Sequence, residues 1–512
     1  MSTLFTGGPI VRLPGAALAD WLLVNEEHVQ AIGNGEPPPA DRVINLDGGT
    51  LMPAFCDAHV HLPATGLYEM GLDFRGEHSS VKILDAFATR ARQGGDGILF
   101  GGNFEDPLDR PITRLELDGV VGPRPALLAR ADMHSCVVST ALLDELDLAE
   151  LEGVDVDEQG QPTGYLREKA ASEAWGWFDQ TLPAEQQKAA VHAAIRKAYS
   201  KGIASVHEMF VVEWRGWPSL IVFLEAIEEA SLDIVTYVGT MEVDKVKDIG
   251  FDHVGGDLFL DGSFGSHTAW MSAGYVSTPP QGSPPNGISY RSDEELLEVF
   301  TRAQELDMQC GVHAIGDAAI EQAISTWEKV ADKVGVDAVR DLGHRIEHFE
   351  CAWDDHLRRA ATLGLRASVQ PAFDRYWGGP DGLYAGRIGW GTAKDMNRFA
   401  SMLNAGLLVG AGSDSTVTPM DPFLQLASLR SHHIEDEQLG RVEALRLHTT
   451  GARALADGPS LAGSLEPTAP ADLVWLDRNP AEVSVDELLE TEVLGTWVLG
   501  QRVWPEADAE AL

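Results

Sequence analysis

The sequence predicts an α/β protein in which βα units surround a parallel sheet, flanked by two chain ends that both read as short strands and turns. Three observations predict it. Through the middle of the chain, apolar runs of about five residues alternate with amphipathic helical stretches, the pattern of successive βα units. The first fifty residues read as short strands and turns (LLVNEEHVQAIG, RVINLDGG), and the last fifty read alike (DLVWLD, TWVLGQRVW). Several of the middle runs end in histidine or aspartate, as expected where strand ends supply a site.

Taken in order, LMPAFCDAHVH opens the middle region as a strand carrying His59 and His61. A helix follows Thr181, with Val191, Ala194, Ile195 and Ala198 on one face and Gly202 closing it, before the strand IASVHEM with His207. Further on, Ser292 as N-cap with Glu295 three residues later forms a capping box, and Leu296, Val299, Phe300 and Ala303 make the apolar stripe. That helix runs into MQCGVHAIGD, a strand ending in His313, after which Ile320, Ala323, Ile324 and Trp327 repeat the stripe. Candidate strands total ten: LMPAFC, ILFGGN, PALLARA, IASVH, DIVTYVG, DLFLDG, QCGVHA, RIEHF, RASVQP and LLVGAGSD. A barrel of eight leaves some outside it, and residues 68–95 and 276–289 read as insertions over the mouth.

Composition bounds the function. Against 38 Lys+Arg stand 79 Asp+Glu, a net charge of −41 over 512 residues, which argues against nucleic acid and anionic membranes as partners. The excess is spread along the chain and reads as a solvated surface, with a salt-adapted source left open. Cys56, Cys136, Cys310 and Cys351 sit singly in apolar segments, so buried reduced thiols are expected in place of a disulfide framework or thiolate zinc site. No apolar run approaches a membrane span and the start lacks a signal-peptide pattern, so a soluble cytoplasmic protein is expected. No phosphate-cradling glycine motif and no Gly-x-Ser-x-Gly elbow is present.

The chemistry sits at strand ends. On a strand, the period of two sends the imidazoles of His59 and His61 to the same face. His313 closes QCGVHA, His348 closes RIEHF, and Asp414 closes LLVGAGSD. Unrelated core histidines would not fall so consistently at strand C-termini. Imidazoles that hold a divalent metal with an open position, and a carboxylate that takes a proton from the bound water, make a hydrolase. The histidine-rich set suits zinc, while iron, manganese and cobalt stay open. Trp270, Phe373, Tyr376 and Trp377 are candidates for an apolar pocket wall, and His432 and His433, in a charged stretch, read as surface residues.

HVH, HAIGD, IEHFE and GSDS together resemble the metal-site signature of the amidohydrolase superfamily. LMPAFCDAHVHLP, RPALLARADMHSCVVSTALL, GQPTGYLREKA, DLFLDGSFGSHTAW and GSLEPTAPADLVWLD are similar, in that order, to segments of its YtcJ-like branch, amidohydrolase family 3, over nearly the whole chain. The resemblance implies a distorted TIM (β/α)8 barrel, residues 53–455, and a small β-sandwich domain from residues 1–52 and 456–512. It implies hydrolysis of a C–N bond in an amide, N-substituted formamide or cyclic amide of small-molecule size, on one or two metal ions; a homo-oligomer is left open. His59, His61, His313 and His348 would be ligands, Asp414 would bind metal and act as general acid/base, and His134 would face the substrate as a catalytic group. Glu168, His207, Asp261 and His267 are candidate substrate contacts: the first three have ordinary alternatives as a helix-start carboxylate, a core or supporting histidine and an Asp-Gly turn, and His267 occupies a slot where relatives often carry arginine. Asp257 occupies the place of a lysine that relatives can carboxylate to bridge two metals. Aspartate supplies the carboxylate but not the reach, which puts a binuclear centre in doubt and leaves open both a mononuclear site and a second metal held loosely through Asp257. A deaminase on the same scaffold and a barrel that has lost catalysis are the alternatives.

Overall fold

Parallel strands are buried on both faces, which is why the middle runs are apolar without alternation. The computed structural model describes residues 1–94, 97–105, 108–131, 135–148, 151–279, 283–458 and 461–505. In it eight strands form a barrel: Phe55–Val60, Ile203–Val211, Asp233–Gly239, His253–Val254, Gln309–Ala314, Arg345–His348, Arg366–Val369 and Leu408–Ala411. Each pairs in parallel with the next. The ring closes through a parallel bridge between Val60 and Ser415, where Asp414 N donates to His59 O at 2.8 Å and His61 N to Ser415 O at 3.1 Å.

The two helices expected from their caps and stripes are present. Asp293–Glu305 carries the full capping box, Ser292 Oγ accepting from Glu295 N at 3.3 Å, and buries Leu296, Val299, Phe300 and Ala303. Ala184–Ser200 buries Val191, Ala194, Ile195 and Ala198, but its N-cap is Pro183, and Thr181 instead ends the preceding helix Glu168–Thr181.

Three of the ten candidate strands lie elsewhere, and a fourth is split. ILFGGN and PALLARA belong to a separate six-stranded sheet running from Leu72–Asp73 to Pro162–Arg167, so the insertion is far larger than residues 68–95. Strands in an insertion need their own apolar cover, and this sheet has two: Leu127, Cys136, Leu166 and Phe178 on one side, Phe74, Phe87, Leu128 and Val137 on the other. LMPAFC divides between Thr50–Pro53, in the terminal sheet, and the first barrel strand. DLFLDG is not a strand; the fourth place goes to the two residues His253–Val254.

The cause is Gly255-Gly256, with φ of 81° and 69°. These left-handed glycines turn the chain inward so that residues 257–260 run beside the fifth strand, bridged at Phe259–His313. A Cβ on Gly255 would come within 2.0 Å of Gly311 O. Gly255→Ala should therefore cost about 2–5 kcal/mol from left-handed strain plus overpacking, read as a lowered thermal midpoint, and should displace Asp257 two residues on.

The chain ends meet in one eight-stranded sheet, five strands from residues 2–53 and three from residues 473–504. Its core includes Phe5, Leu22, Leu51, Leu473 and Trp497. All four cysteines are buried and free. Among the described residues no helix is long and apolar enough to cross a membrane.

Candidate metal centre

Four imidazoles converge on one carboxylate at the C-terminal end of the barrel. Asp257 Oδ2 lies 3.4 Å from His59 Nε2 and 3.1 Å from His61 Nε2, and Oδ1 lies 3.6 Å from both His313 Nδ1 and His348 Nε2. Asp414 Oδ1 stands 3.6 Å from His59 Nε2 and 3.2 Å from His61 Nε2. Donor atoms of His59, His61 and Asp257, of His59, His348 and Asp414, and of Asp257, His313 and His348 form three sets in which all lie within 4.8 Å of one another.

On each ring the nitrogen turned away from Asp257 is held by another acceptor. Glu347 Oε2 holds His59 Nδ1 at 2.9 Å, Met209 O holds His61 Nδ1 at 2.9 Å, Gln370 Oε1 meets His348 Nδ1 at 2.8 Å, and Gly262 O lies 3.4 Å from His313 Nε2. This is how metal-ligating imidazoles are fixed in tautomer and orientation. The inward atoms His59 Nε2, His313 Nδ1, His348 Nε2 and Asp257 Oδ1 are buried without a hydrogen-bond partner. Buried lone pairs of this kind are costly unless something binds them, and divalent metal at the centre would satisfy all four.

The electrostatics point the same way. Burial opposes charge on His59 and His61, yet the surrounding carboxylates win: His59 is raised well above the ordinary imidazole range and His61 to about 10. Burial likewise raises Asp257, but His59 and the other imidazoles hold it well below the usual carboxylate range. His313 falls to about 4 through burial and the neighbouring His348. The cluster thus demands positive charge at its centre, which protons on His59 and His61 supply only by blocking both Nε2 donors.

A sequence model of the amidohydrolase family matches residues 42–504. The chain belongs to the amidohydrolase family. It is 27% identical over 507 residues, 92% of each chain, to the Bacillus subtilis (strain 168) protein provisionally named amidohydrolase YtcJ. It is 24% identical over 522 residues, 94% of each chain, to the N-substituted formamide deformylase of Arthrobacter pascens. A crystal structure of an uncharacterized metal-dependent hydrolase from Pyrococcus furiosus superposes with a TM-score of 0.76 at 27% identity, covering 94% of this chain and 100% of the other.

For this amidohydrolase the expected ligands His59, His61, His313, His348 and Asp414 come together, and Asp257 joins them at the centre. The expectation that aspartate lacks reach is corrected: the inward turn at Gly255-Gly256 moves the backbone toward the fifth strand, so a short side chain touches all four rings. His61 is not on the strand, which ends at Val60; it caps the helix Leu62–Met70, and its ring still meets that of His59 at 5.4 Å.

The proposed substrate contacts fare differently. His207 is fully enclosed, with Nδ1 at 2.8 Å from Arg345 Nη1, and supports the centre from within. Asp261 is also enclosed: its carboxylate accepts from the N–H groups of Ile315, Gly316 and Trp270 at 3.0, 2.7 and 2.8 Å, and so organises the turn after His313. His267 lies on left-handed backbone (φ 62°) with Nε2 at 2.8 Å from Ser277 Oγ. Glu168 opens the helix Glu168–Thr181; its side chain, like the whole of His134, lies outside the described residues. His432 is buried against Phe399, with Nε2 3.4 Å from Asp374 Oδ1, which corrects the surface assignment.

Sequence reasoning missed the supports. Arg345, enclosed completely, grips Glu347 at 2.8 and 2.9 Å, and Glu347 grips His59. Asp57 Oδ1 accepts from Ser413 N at 2.8 Å and His59 N at 3.3 Å, tying the first strand to the loop that carries Asp414. Two opposite charges at i and i+2 in an apolar strand, Arg345 and Glu347, were the available signal.

Proposed function

We propose that this amidohydrolase is a metal-dependent enzyme that cleaves a C–N bond in an amide, N-substituted formamide or cyclic amide. The observation that carries the reading is the division of Asp257, one oxygen toward His59 and His61 and the other toward His313 and His348. His59, His61, His313, His348, Asp257 and Asp414 would hold divalent metal here, and nitrogen-rich ligation favours zinc. When bound, the ions would acidify a water and polarise the scissile carbonyl.

The remaining work falls to the chain. Asp414 Oδ1 takes the proton of the attacking water and delivers it to the departing nitrogen. Its position is set by backbone: Asp414 N donates to His59 O at 2.8 Å, and φ is 50°. Glu347, pinned by Arg345, keeps His59 in the tautomer with a bare Nε2. Phe259, 4.4 Å from the His313 ring and stacked on Trp214, and Phe373, parallel to His348 at 6.0 Å with Trp377 behind it, form apolar walls that hold the substrate and exclude stray water. The name of the Arthrobacter pascens relative, a deformylase of N-substituted formamides, supports the same bond class. A small-molecule substrate also accords with the net charge of −41.

Protein purified without chelator should carry about two divalent ions per chain by elemental analysis. A panel of amides should release carboxylic acid, an activity lost on chelation and regained with zinc. Absence of metal after reconstitution would overturn the reading; ammonia release from amidine-type substrates without amide turnover would replace it with deamination.

A further inference from the structure

We propose that Trp214 and Phe259 form an aromatic subsite for the acyl side of the substrate, so that the amides cleaved are uncharged ones whose acyl group carries an aryl ring. This rests on the amide-hydrolase reading above and narrows it. Phe259 is bridged to His313 through the backbone, His313 N donating to Leu258 O at 3.0 Å and Leu260 N to His313 O at 3.1 Å. Its ring lies 4.4 Å from the His313 imidazole and is stacked on Trp214 at 4.7 Å and 26°. Trp214 belongs to the first turn after the strand Ile203–Val211, and Gly216, at φ 77°, breaks that turn from the helix beyond it. It keeps 36% of its surface exposed. A row of rings thus runs from the centre outward to solvent at the C-terminal end of the barrel. A second row, His348 to Phe373 at 6.0 Å and Phe373 to Trp377 at 4.9 Å, flanks it, the two meeting where the His313 and His348 rings stand 4.3 Å apart.

The place of the proton donor assigns these rings to the acyl group. Asp414, which delivers the proton to the departing nitrogen in that reading, has Oδ1 3.2 Å from His61 Nε2 and 3.6 Å from His59 Nε2. The carboxylates beside His313 are instead Asp257 and Asp261, at 3.6 and 3.8 Å. The nitrogen therefore leaves on the His59–His61 side, and the acyl substituent, across the carbonyl carbon from it, extends toward His313 and Phe259. The pairing of nearby charges makes the ligand an uncharged one. Glu213 and Arg215, the neighbours of Trp214, are both engaged: Arg291 donates to Glu213, and Arg215 Nη1 donates to Asp179 Oδ1 at 3.0 Å. What the subsite offers is the surface of exposed Trp214 and half-buried Phe259. An aryl group gains there, beyond the area it buries, from the offset and edge-to-face contacts that rings make with rings, which a cyclohexyl group of similar size cannot make.

The test compares two matched pairs of neutral amides: N-methyl phenylacetamide with N-methyl cyclohexylacetamide, where the ring is on the acyl side, and N-benzylacetamide with N-(cyclohexylmethyl)acetamide, where it is on the nitrogen. Turnover is measured with the metal-loaded enzyme, and binding by titration calorimetry with metal-loaded Asp414→Asn. The aryl member should be preferred about 2- to 10-fold in the first pair and not in the second. Trp214→Leu should bring that ratio to about one, whereas Trp214→Phe, which keeps a ring, should retain most of it. Thermal midpoints and metal content would report any loss of fold or of the centre. An aryl preference on the nitrogen side or on both sides, none on either, no binding of any of the four amides, or a ratio indifferent to Trp214→Leu would overturn the proposal. A Trp214-dependent preference for the acyl aryl group in binding, with no amide hydrolysed, would uphold the subsite and overturn the hydrolase reading instead.

Discussion

Asp257→Ala should leave less than one divalent ion per chain and lower turnover by about 10⁴-fold or more, as elemental analysis and kcat on any amide found to be a substrate would show. Among the described residues no other carboxylate makes close contact with both pairs of imidazoles: Oδ2 serves His59 and His61, Oδ1 serves His313 and His348. Without it each pair keeps two imidazole nitrogens, and Asp414 makes its closest contacts with His59 and His61, His348 lying farther off. Two imidazoles alone make a weak site, so the His313–His348 side should empty first. Asp257→Glu separates charge from reach. It keeps the carboxylate but adds a methylene where Gly255-Gly256 has already brought the backbone close, and should recover part of the metal and little of the rate. Retention of two ions by the alanine variant would remove Asp257 from the centre.

The candidate ligands were legible because two regularities coincide on them. A parallel barrel strand is apolar throughout, so a histidine at its end stands out, and a period of two read on through residue 61 pairs His59 with His61 even though the strand ends at Val60. Asp257 was harder, because side-chain length can be read from sequence whereas backbone path cannot. The two glycines that supply the missing reach look like an ordinary turn. The insertion was misjudged for a related reason: ILFGGN and PALLARA have the length and apolarity of barrel strands, and only their pairing assigns them to another sheet. Asp261 and His207 were candidate substrate contacts by resemblance and position, with an Asp-Gly turn and a core histidine as their ordinary alternatives. The structure encloses both, one accepting three backbone N–H groups and the other packed on Arg345. Local charge around His432 suggested solvent, yet Phe399 and Asp374 cover it from distant parts of the chain.

Asp414→Asn should keep the metal and lose the reaction, with kcat down about 10³- to 10⁴-fold and metal content unchanged. The substitution is suited to isolating the proton because it disturbs little else. Asp414 occupies left-handed backbone at φ 50°, a conformation that asparagine tolerates better than most residues. Its N–H still donates to His59 O, and its carbonyl still accepts from Val417 N at 2.7 Å. The amide oxygen can take the place of Oδ1 near His59 and His61, and Asp257 with four imidazoles remains to hold the ions. What is gone is a group able to accept a proton from water and return it to a leaving nitrogen. His59→Ala is the contrast: it removes an imidazole fixed by Glu347 and should lose metal and rate together. The pair of variants separates ligation from proton transfer, and a near-normal rate in Asp414→Asn would require another base within reach of the centre.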